Sequence, residues 1–245
     1  MRQIELSALA PRLMETARTA GEAIMRIYAN EQSANVEFKL DQSPVTLTDK
    51  AAHKVLVASL NGLLPSCPVV SEDDDASHTH RVSDGMFWLL DPLDGTKEFI
   101  ARNGGFTVNI ALIDHGVSVL GVVYAPAIDC MYWGGAGLGA FCVREGRMSP
   151  IKVRQGDGAS CRVVASKSHL NTETRTYIDQ LGAVSLVQAG SSLKFCRIAE
   201  GLADVYPRLA PTCEWDTAAA QAVREGAGGC VLGLDGQPLK YGKKM

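Results

Sequence analysis

Apolar residues recur at spacings of three and four from Leu6 through Leu9, Leu13, Ala17, Ala20 and Ile24 to Ile27, which predicts a long amphipathic helix. Val36 and Phe38 read as strand-like. A second helix is expected with Thr48 and Asp49 as its capping residues and Ala52, Val55, Leu56 and Leu60 on its apolar face. Val69-Val70-Ser71 reads as a short strand ending on Glu72, and Glu72-Asp73-Asp74-Asp75 opens a polar loop to about residue 84. The apolar run Phe87-Trp88-Leu89-Leu90 is the next strand. Phe106, Val108, Ile110 and Leu112 then alternate, Asp114-His115-Gly116 turns, and Val117, Val119, Gly121 and Val123 answer, a β-hairpin. Further strands are expected near residues 130–133, 139–143 and 151–153.

The rhythm then changes. Strands at residues 162–165, 184–187, 205–206 and 230–234 alternate with helices at 173–181, 193–200 and 215–224. Antiparallel β followed by α/β alternation predicts an α/β (α+β) fold of sheet and helix layers. A soft boundary near residues 153–160 divides the chain into an N-terminal half (1–155) and a C-terminal half (156–245), expected to form one compact unit.

Composition narrows the classes of function. A net charge of −3 and a pI near 6.0 argue against a basic face for polymeric nucleic acid, though not against a small anionic ligand. The seven cysteines are scattered and never form a C-x-x-C pair, which fits reduced structural thiols better than disulfides or a zinc site. Arg2, Glu5, Arg12 and Glu15 interrupt the N-terminus, so no signal peptide or transmembrane segment is expected. Cytoplasm is the default location.

The chemistry gathers at Asp91-Pro92-Leu93-Asp94-Gly95-Thr96, where an apolar strand ends in two carboxylates three residues apart. Two carboxylates ~4 Å apart repel by about 4 kcal/mol at an effective dielectric of ~20, and a divalent cation between them relieves this. The spacing alone is equally compatible with two acids capping a turn. Gly95 and Thr96 favour a site, because glycine lets backbone N–H groups approach an anion and threonine adds a hydroxyl. Glu72, at a strand end, is a further candidate ligand, whereas Asp73, Asp74 and Asp75 read as a solvated loop. Asp216, opening a helix, reads on its own as a dipole partner. His53, His78, His80 and His115 read as structural or exposed, and His169 as either a ligand contact or a surface residue.

With Glu72 in Ser71-Glu72-Asp73 and Asp216 in Trp215-Asp216-Thr217-Ala218-Ala219, the central block resembles the inositol monophosphatase superfamily of magnesium-dependent, lithium-sensitive phosphatases. The extension Lys97-Glu98-Phe99-Ile100, with Gly104-Gly105-Phe106-Thr107-Val108-Asn109, Gly190-Ser191-Ser192-Leu193-Lys194 and Tyr206-Pro207-Arg208, is similar to one branch, the CysQ-type 3'(2'),5'-bisphosphate nucleotidases. The resemblance runs in order over about residues 8–240.

It implies a layered α-β-α-β-α sugar-phosphatase fold and two Mg²⁺ ions, with a third held more weakly near Glu72. Glu72, Asp91 and the Leu93 carbonyl would hold the first ion, and Asp91, Asp94 and Asp216 the second. Asp49 and Thr96 would orient and deprotonate the attacking water, and Gly95 and Thr96 would cradle the phosphate. Ser168, His169, Gly190 and Lys194 would contact the nucleotide. The implied reaction removes the 3'-phosphate of adenosine 3',5'-bisphosphate, or of 3'-phosphoadenylyl sulfate, in sulfate assimilation. Inositol monophosphate or a sugar bisphosphate as substrate, and a non-catalytic metal- or nucleotide-binding protein, are the alternatives. The same resemblance leaves open an association with the cytoplasmic face of the inner membrane and says nothing of protein partners. Two departures stand out: Thr48 where alanine is common, and an end at Lys243-Lys244-Met245 where relatives continue into one more strand.

Overall fold

The computed structural model describes residues 3–29, 36–38, 44–156, 160–165 and 171–243. Helix α1 (Gln3–Tyr28) is followed by a small antiparallel pair, β1 (Val36–Phe38) and β2 (Pro44–Thr46), and by α2 (Leu47–Leu63). Seven strands then form the main sheet: β3 (Val69–Ser71), β4 (Met86–Asp94), β5 (Thr107–Asp114), β6 (Val117–Ala125), β7 (Cys130–Gly135), β8 (Gly139–Arg144) and β9 (Arg147–Pro150). They lie in sequence order, antiparallel throughout except for the parallel β3–β4 pair. Helix α3 (Thr96–Ile100) sits between β4 and β5. Next come β10 (Cys161–Ala165), α4 (Thr172–Gln180), β11 (Val184–Gln188), α5 (Leu193–Ala199) and α6 (Trp215–Gly226), with β10 and β11 paired in parallel.

Both faces of the main sheet are covered, which is why residues 87–90 read as a continuous apolar run rather than an alternating one. Trp88, Leu90, Val108, Ile110, Leu112 and Val122 pack with Leu13, Ala17 and Ile24 of α1 and Leu56 and Leu60 of α2. The opposite face presents Phe87, Leu89, Ala111, Ile113, Val123 and Tyr132 to α5 and α6. Val164 of β10 packs with Ile198 of α5, so the small parallel sheet lies beyond that helix layer. Helix, sheet, helix and sheet therefore follow one another, with α4 as the crossover of the second sheet. Among the described residues no helix is long and apolar enough to cross a membrane.

Five expectations change. Thr48 and Asp49 lie inside the first turn of α2 rather than before it. The acidic loop contains a 3-10 turn over Asp75–His80, capped by the Asp74 side chain on the Ala76 N–H at 3.1 Å. The last strand of the main sheet is Arg147–Pro150 instead of residues 151–153. Glu145 and Gly146, with φ of 50° and 72°, form a two-residue hairpin turn that starts the pairing at once. Pairing ends when the Ile151 N–H reaches the Ala140 carbonyl, and Val153 then turns to the Ala227 carbonyl. Residues 230–234 make an isolated bridge from Leu232 to Pro238 instead of a strand, and 205–206 a single bridge from Val205 to Val163.

Helix α6 lies unusually close to the sheet because both surfaces are small. Ala218, Ala219, Ala220 and Ala222 are buried there, and the Ser118 hydroxyl donates to the Ala218 carbonyl at 2.8 Å. A Cβ on Gly121 would stand 2.1 Å from the Ala219 carbonyl oxygen, which no rotamer relieves. Gly121→Ala should therefore lower the urea midpoint, at a cost of about 1–3 kcal/mol. Gly62→Ala, in α2 with no atom within 4 Å of the added carbon, should raise it slightly. A Gly121→Ala midpoint equal to the parent's would contradict this packing.

Candidate active site

Strand β4 does not stop at Leu90 but runs through the acidic motif to Asp94. Asp91 stands opposite Asn109 and Asp94 opposite Thr107, so three steps on β4 match two on β5. This is a one-residue bulge at Pro92-Leu93, placed where proline has no N–H to give the ladder. In a regular strand, residues three apart face opposite ways. The bulge instead turns both carboxylates to the face that Asn109 and Thr107 share, toward α5 and α6, while Leu93 enters the core on the α1 and α2 side.

Other elements bring their groups to the same place. Glu72 follows β3, its N–H donating to the Leu90 carbonyl at 3.2 Å. Asp49 lies in the first turn of α2 and is 5% exposed, and Asp216 lies in the first turn of α6. Gly95, at φ 91°, provides the left-handed turn from β4 into α3, with Thr96 the first residue of that helix. Asp49, Glu72, Asp91, Leu93, Asp94, Gly95, Thr96, Lys194 and Asp216 all line one cavity of about 360 Å³. Gly190 stands behind its wall, close against the Gly105 carbonyl. Ser168 and His169 lie outside the described residues.

Hydrogen bonds hold the acids by single oxygens. Asp94 Oδ2 accepts from the Ser192 N–H at 2.6 Å, with the Ser192 hydroxyl at 2.8 Å, Asn109 Nδ2 at 3.3 Å and the Thr107 hydroxyl at 3.4 Å. Asp216 Oδ2 accepts from the Thr212 hydroxyl at 2.7 Å and the Cys213 N–H at 3.1 Å, and Asp91 Oδ1 from the Leu93 N–H at 3.1 Å. Among the described residues these bonds orient the carboxylates and leave Oδ1 of Asp94 and Asp216 outside the network, the division of labour that metal-ligating carboxylates show. The Thr96 hydroxyl reaches the Leu93 carbonyl only at 3.5 Å.

The charge is unbalanced. Asp49, Glu72, Asp91, Asp94, Glu98 and Asp216 line the cavity against Lys97, Lys194 and Arg208. Burial, then Glu72, Asp94, Asp216 and Asp49, push the Asp91 carboxyl well above its ordinary range, and burial with Asp94 raises Asp216. Burial also pulls the Lys194 ammonium down against the opposing pull of Asp94. Among the described residues, no three acidic, histidine or cysteine side chains already form a closed metal cage. Converging carboxylates with orienting donors, and the buried Asn109 Oδ1 that has no hydrogen-bond partner among the described residues, fit hard cations with their water shells.

Several cavity groups carried no role in the sequence reading. Ser191, Tyr206 and Arg208 line it, and Ser191 takes a φ of 40° that is costly for serine. Its hydroxyl donates to the Gly105 carbonyl at 2.9 Å. Arg208 lies 4.0 Å from Asp216, and Lys194 sits over the Tyr206 ring at 5.5 Å. Thr107 and Asn109 had a legible signal: they are polar at alternate positions of an otherwise apolar strand. His53 and His78 are structural, bonding the Ser71 hydroxyl and carbonyl at 2.8 and 2.9 Å, with His78 stacked on Trp215.

The sequence and the fold have counterparts among known proteins. Residues 5–245 match the model of the inositol monophosphatase family. The chain is 49% identical to the 3'(2'),5'-bisphosphate nucleotidase CysQ of Escherichia coli K12, over 93% of this chain and 91% of that one. It superposes on the crystal structure of CysQ from Bacteroides thetaiotaomicron with a TM-score of 0.83 and 40% identity, covering 96% and 93% of the two chains. It superposes on an inositol monophosphatase from Anabaena with a TM-score of 0.75 and 26% identity, covering 96% and 88%.

A carboxyl with a raised pKa favours the folded state only below the ordinary carboxyl range, and that advantage is lost as pH rises through the raised value. In a chelator, Asp91→Asn should therefore melt higher than the parent at about pH 8, with the gap closing toward about pH 4. Thermal melts at the two pH values check this; a variant that melts lower than the parent at both would contradict the crowding of charge around Asp91.

Proposed function

The chain belongs to the inositol monophosphatase family, and on that premise we propose that it hydrolyses the 3'-phosphate of adenosine 3',5'-bisphosphate, giving AMP and phosphate. The observation that carries this reading is the convergence of Asp49, Glu72, Asp91, Asp94 and Asp216 with Lys194 and Arg208 on one cavity. The 49% identity to a bisphosphate nucleotidase supports the choice of substrate over the rest of the family. 3'-Phosphoadenylyl sulfate, which carries the same 3'-phosphate, is the second substrate, and clearance of a by-product of sulfate assimilation in the cytoplasm is the proposed setting.

Mg²⁺ is the cation we assign. Glu72, Asp91 and the Leu93 carbonyl would hold one ion and Asp91, Asp94 and Asp216 a second, with a weaker third beside Glu72. When bound, the ions supply charge neutralisation for the transferring phosphoryl group and a water of lowered pKa. The chain's own groups do the positioning. Asp49, fixed in the first turn of α2, accepts the proton of the attacking water, which Thr96 helps to orient. The N–H groups of Gly95 and Thr96 would donate to phosphate oxygens. Lys194, with Arg208 beside it, meets the second phosphate, and Gly190, Ser168 and His169 complete the nucleotide side. The N-terminal half supplies most of the acids and the C-terminal half Asp216 and Lys194, so the two act as one catalytic unit.

Parallel phosphate-release assays with adenosine 3',5'-bisphosphate, 3'-phosphoadenylyl sulfate and inositol 1-phosphate, each titrated with Mg²⁺, test this. The bisphosphate should be the preferred substrate and activity should vanish in a chelator. Preference for inositol phosphate overturns the substrate, and nucleotide binding without hydrolysis overturns the enzyme. Asp94→Asn should lower kcat/KM by about 100-fold or more while the far-ultraviolet spectrum and urea midpoint stay close to the parent's. Near-normal turnover in that variant would remove Asp94 from the site.

A further inference from the structure

Ser192 lies outside the cavity lining yet bonds both Asp94 and Asp216. It is 1% exposed and sits immediately before α5. Its N–H donates to Asp94 Oδ2 at 2.6 Å. Its hydroxyl oxygen lies 2.8 Å from the same Asp94 oxygen and 2.9 Å from the Asp216 carbonyl, and it accepts from Asn109 Nδ2 at 2.9 Å. A hydroxyl has one proton to give, so it is shared between the Asp94 carboxylate and the Asp216 backbone while Asn109 fills its acceptor side.

This places one small side chain between two elements that nothing in the sequence brings together. Asp94 ends β4 and belongs to the main sheet, whereas Asp216 opens α6, and their carboxylates repel across the cavity. The backbone N–H of Ser192 would hold Asp94 whatever residue stood there. The hydroxyl is the part of Ser192 that reaches Asp216, and Asn109, opposite Asp91 in the β4–β5 ladder, donates to that hydroxyl and so orients it. We infer that Ser192, held by Asn109, is a positioning residue that sets the spacing of Asp94 and Asp216 for the cation they share. The inference rests on the reading of those two acids as ligands of one Mg²⁺.

Ser118 provides a control. Its hydroxyl makes an equally short bond to α6, at the Ala218 carbonyl (2.8 Å), but touches neither acid. If hydroxyls merely dock α6 on the sheet, Ser118→Ala and Ser192→Ala behave alike. If Ser192 spaces the acids, they do not.

The test is Mg²⁺ binding to the full chain by titration calorimetry without nucleotide, with urea midpoints measured in a chelator. Ser192→Ala should weaken Mg²⁺ binding about 10-fold, and Asn109→Leu should weaken it in the same direction. Ser118→Ala should bind Mg²⁺ like the parent despite a comparable loss in midpoint. Activity of Ser192→Ala should return to within about twofold of the parent's kcat once Mg²⁺ is raised about 10-fold, because the loss is in affinity and not in chemistry. Parent-like Mg²⁺ affinity in Ser192→Ala overturns the inference. So does an equal loss of affinity in Ser118→Ala, or a parent chain that takes up no Mg²⁺. A parent that binds Mg²⁺ yet hydrolyses no bisphosphate overturns the proposed reaction instead, and the calorimetric comparison still decides the role of Ser192.

Discussion

Mutual repulsion among carboxylates is the constraint around which this structure is arranged. Each close pair costs a few kcal/mol at the dielectric of a protein cavity, and Asp91 has four acidic neighbours raising its proton affinity. Three cations, Lys97, Lys194 and Arg208, face six acids in the cavity lining; Lys194 is itself desolvated and Arg208 stands 4.0 Å from Asp216. The acids must therefore be held by the scaffold. A sheet buried on both faces does this, because each large apolar side chain taken wholly out of water contributes about 1.5–3 kcal/mol. Trp88, Leu89 and Leu90, fully or almost fully buried, run directly into Asp91.

Three local devices turn that general stability into placement. The bulge at Pro92-Leu93 brings Asp91 and Asp94 onto one face of β4. The bare backbone at Gly121 lets α6 settle against β6, which carries Asp216 down to the strand ends. The Ser191-Ser192 turn then links the two, one residue strained into a left-handed conformation and the next bonded to Asp94 and Asp216. Strain and crowded charge in one place are what a site poised to take up cations and a phosphate shows, and they are costs that a purely structural turn has no reason to bear.

Much of the scaffold was legible because its periodicity is strong. The β5–β6 hairpin follows from alternation around Asp114-His115-Gly116, and α1 from a stripe sustained over about six turns. Weaker readings failed for identifiable reasons. Residues 147–150 carry no apolar alternation, so the strand that the Glu145-Gly146 turn starts is not legible and the expectation falls on 151–153. Around Leu232 to Pro238, Gly233 and Gly236 break the run that Cys230 and Val231 begin. At the site, the acids were visible as residues but their common face was not. Register depends on the partner strand, and a bulge shows only once Asn109 and Thr107 are opposite. Asp216, which alone read as a dipole partner, lines the cavity with the other acids because α6 packs so closely. Ser192 gave no signal, since a serine before a helix ordinarily reads as a cap, and here it makes no side-chain cap bond at all.

The claim that these carboxylates form one cation-binding centre is open to direct observation. Crystals grown with Mn²⁺ in place of Mg²⁺ and adenosine 3',5'-bisphosphate should show anomalous difference peaks at the cavity. Two strong peaks ~3.5–4 Å apart, bounded by Glu72, Asp91, Asp94 and Asp216, are the expected result. A cavity with bound nucleotide but no peak within bonding distance of Asp91 and Asp94 would contradict the account.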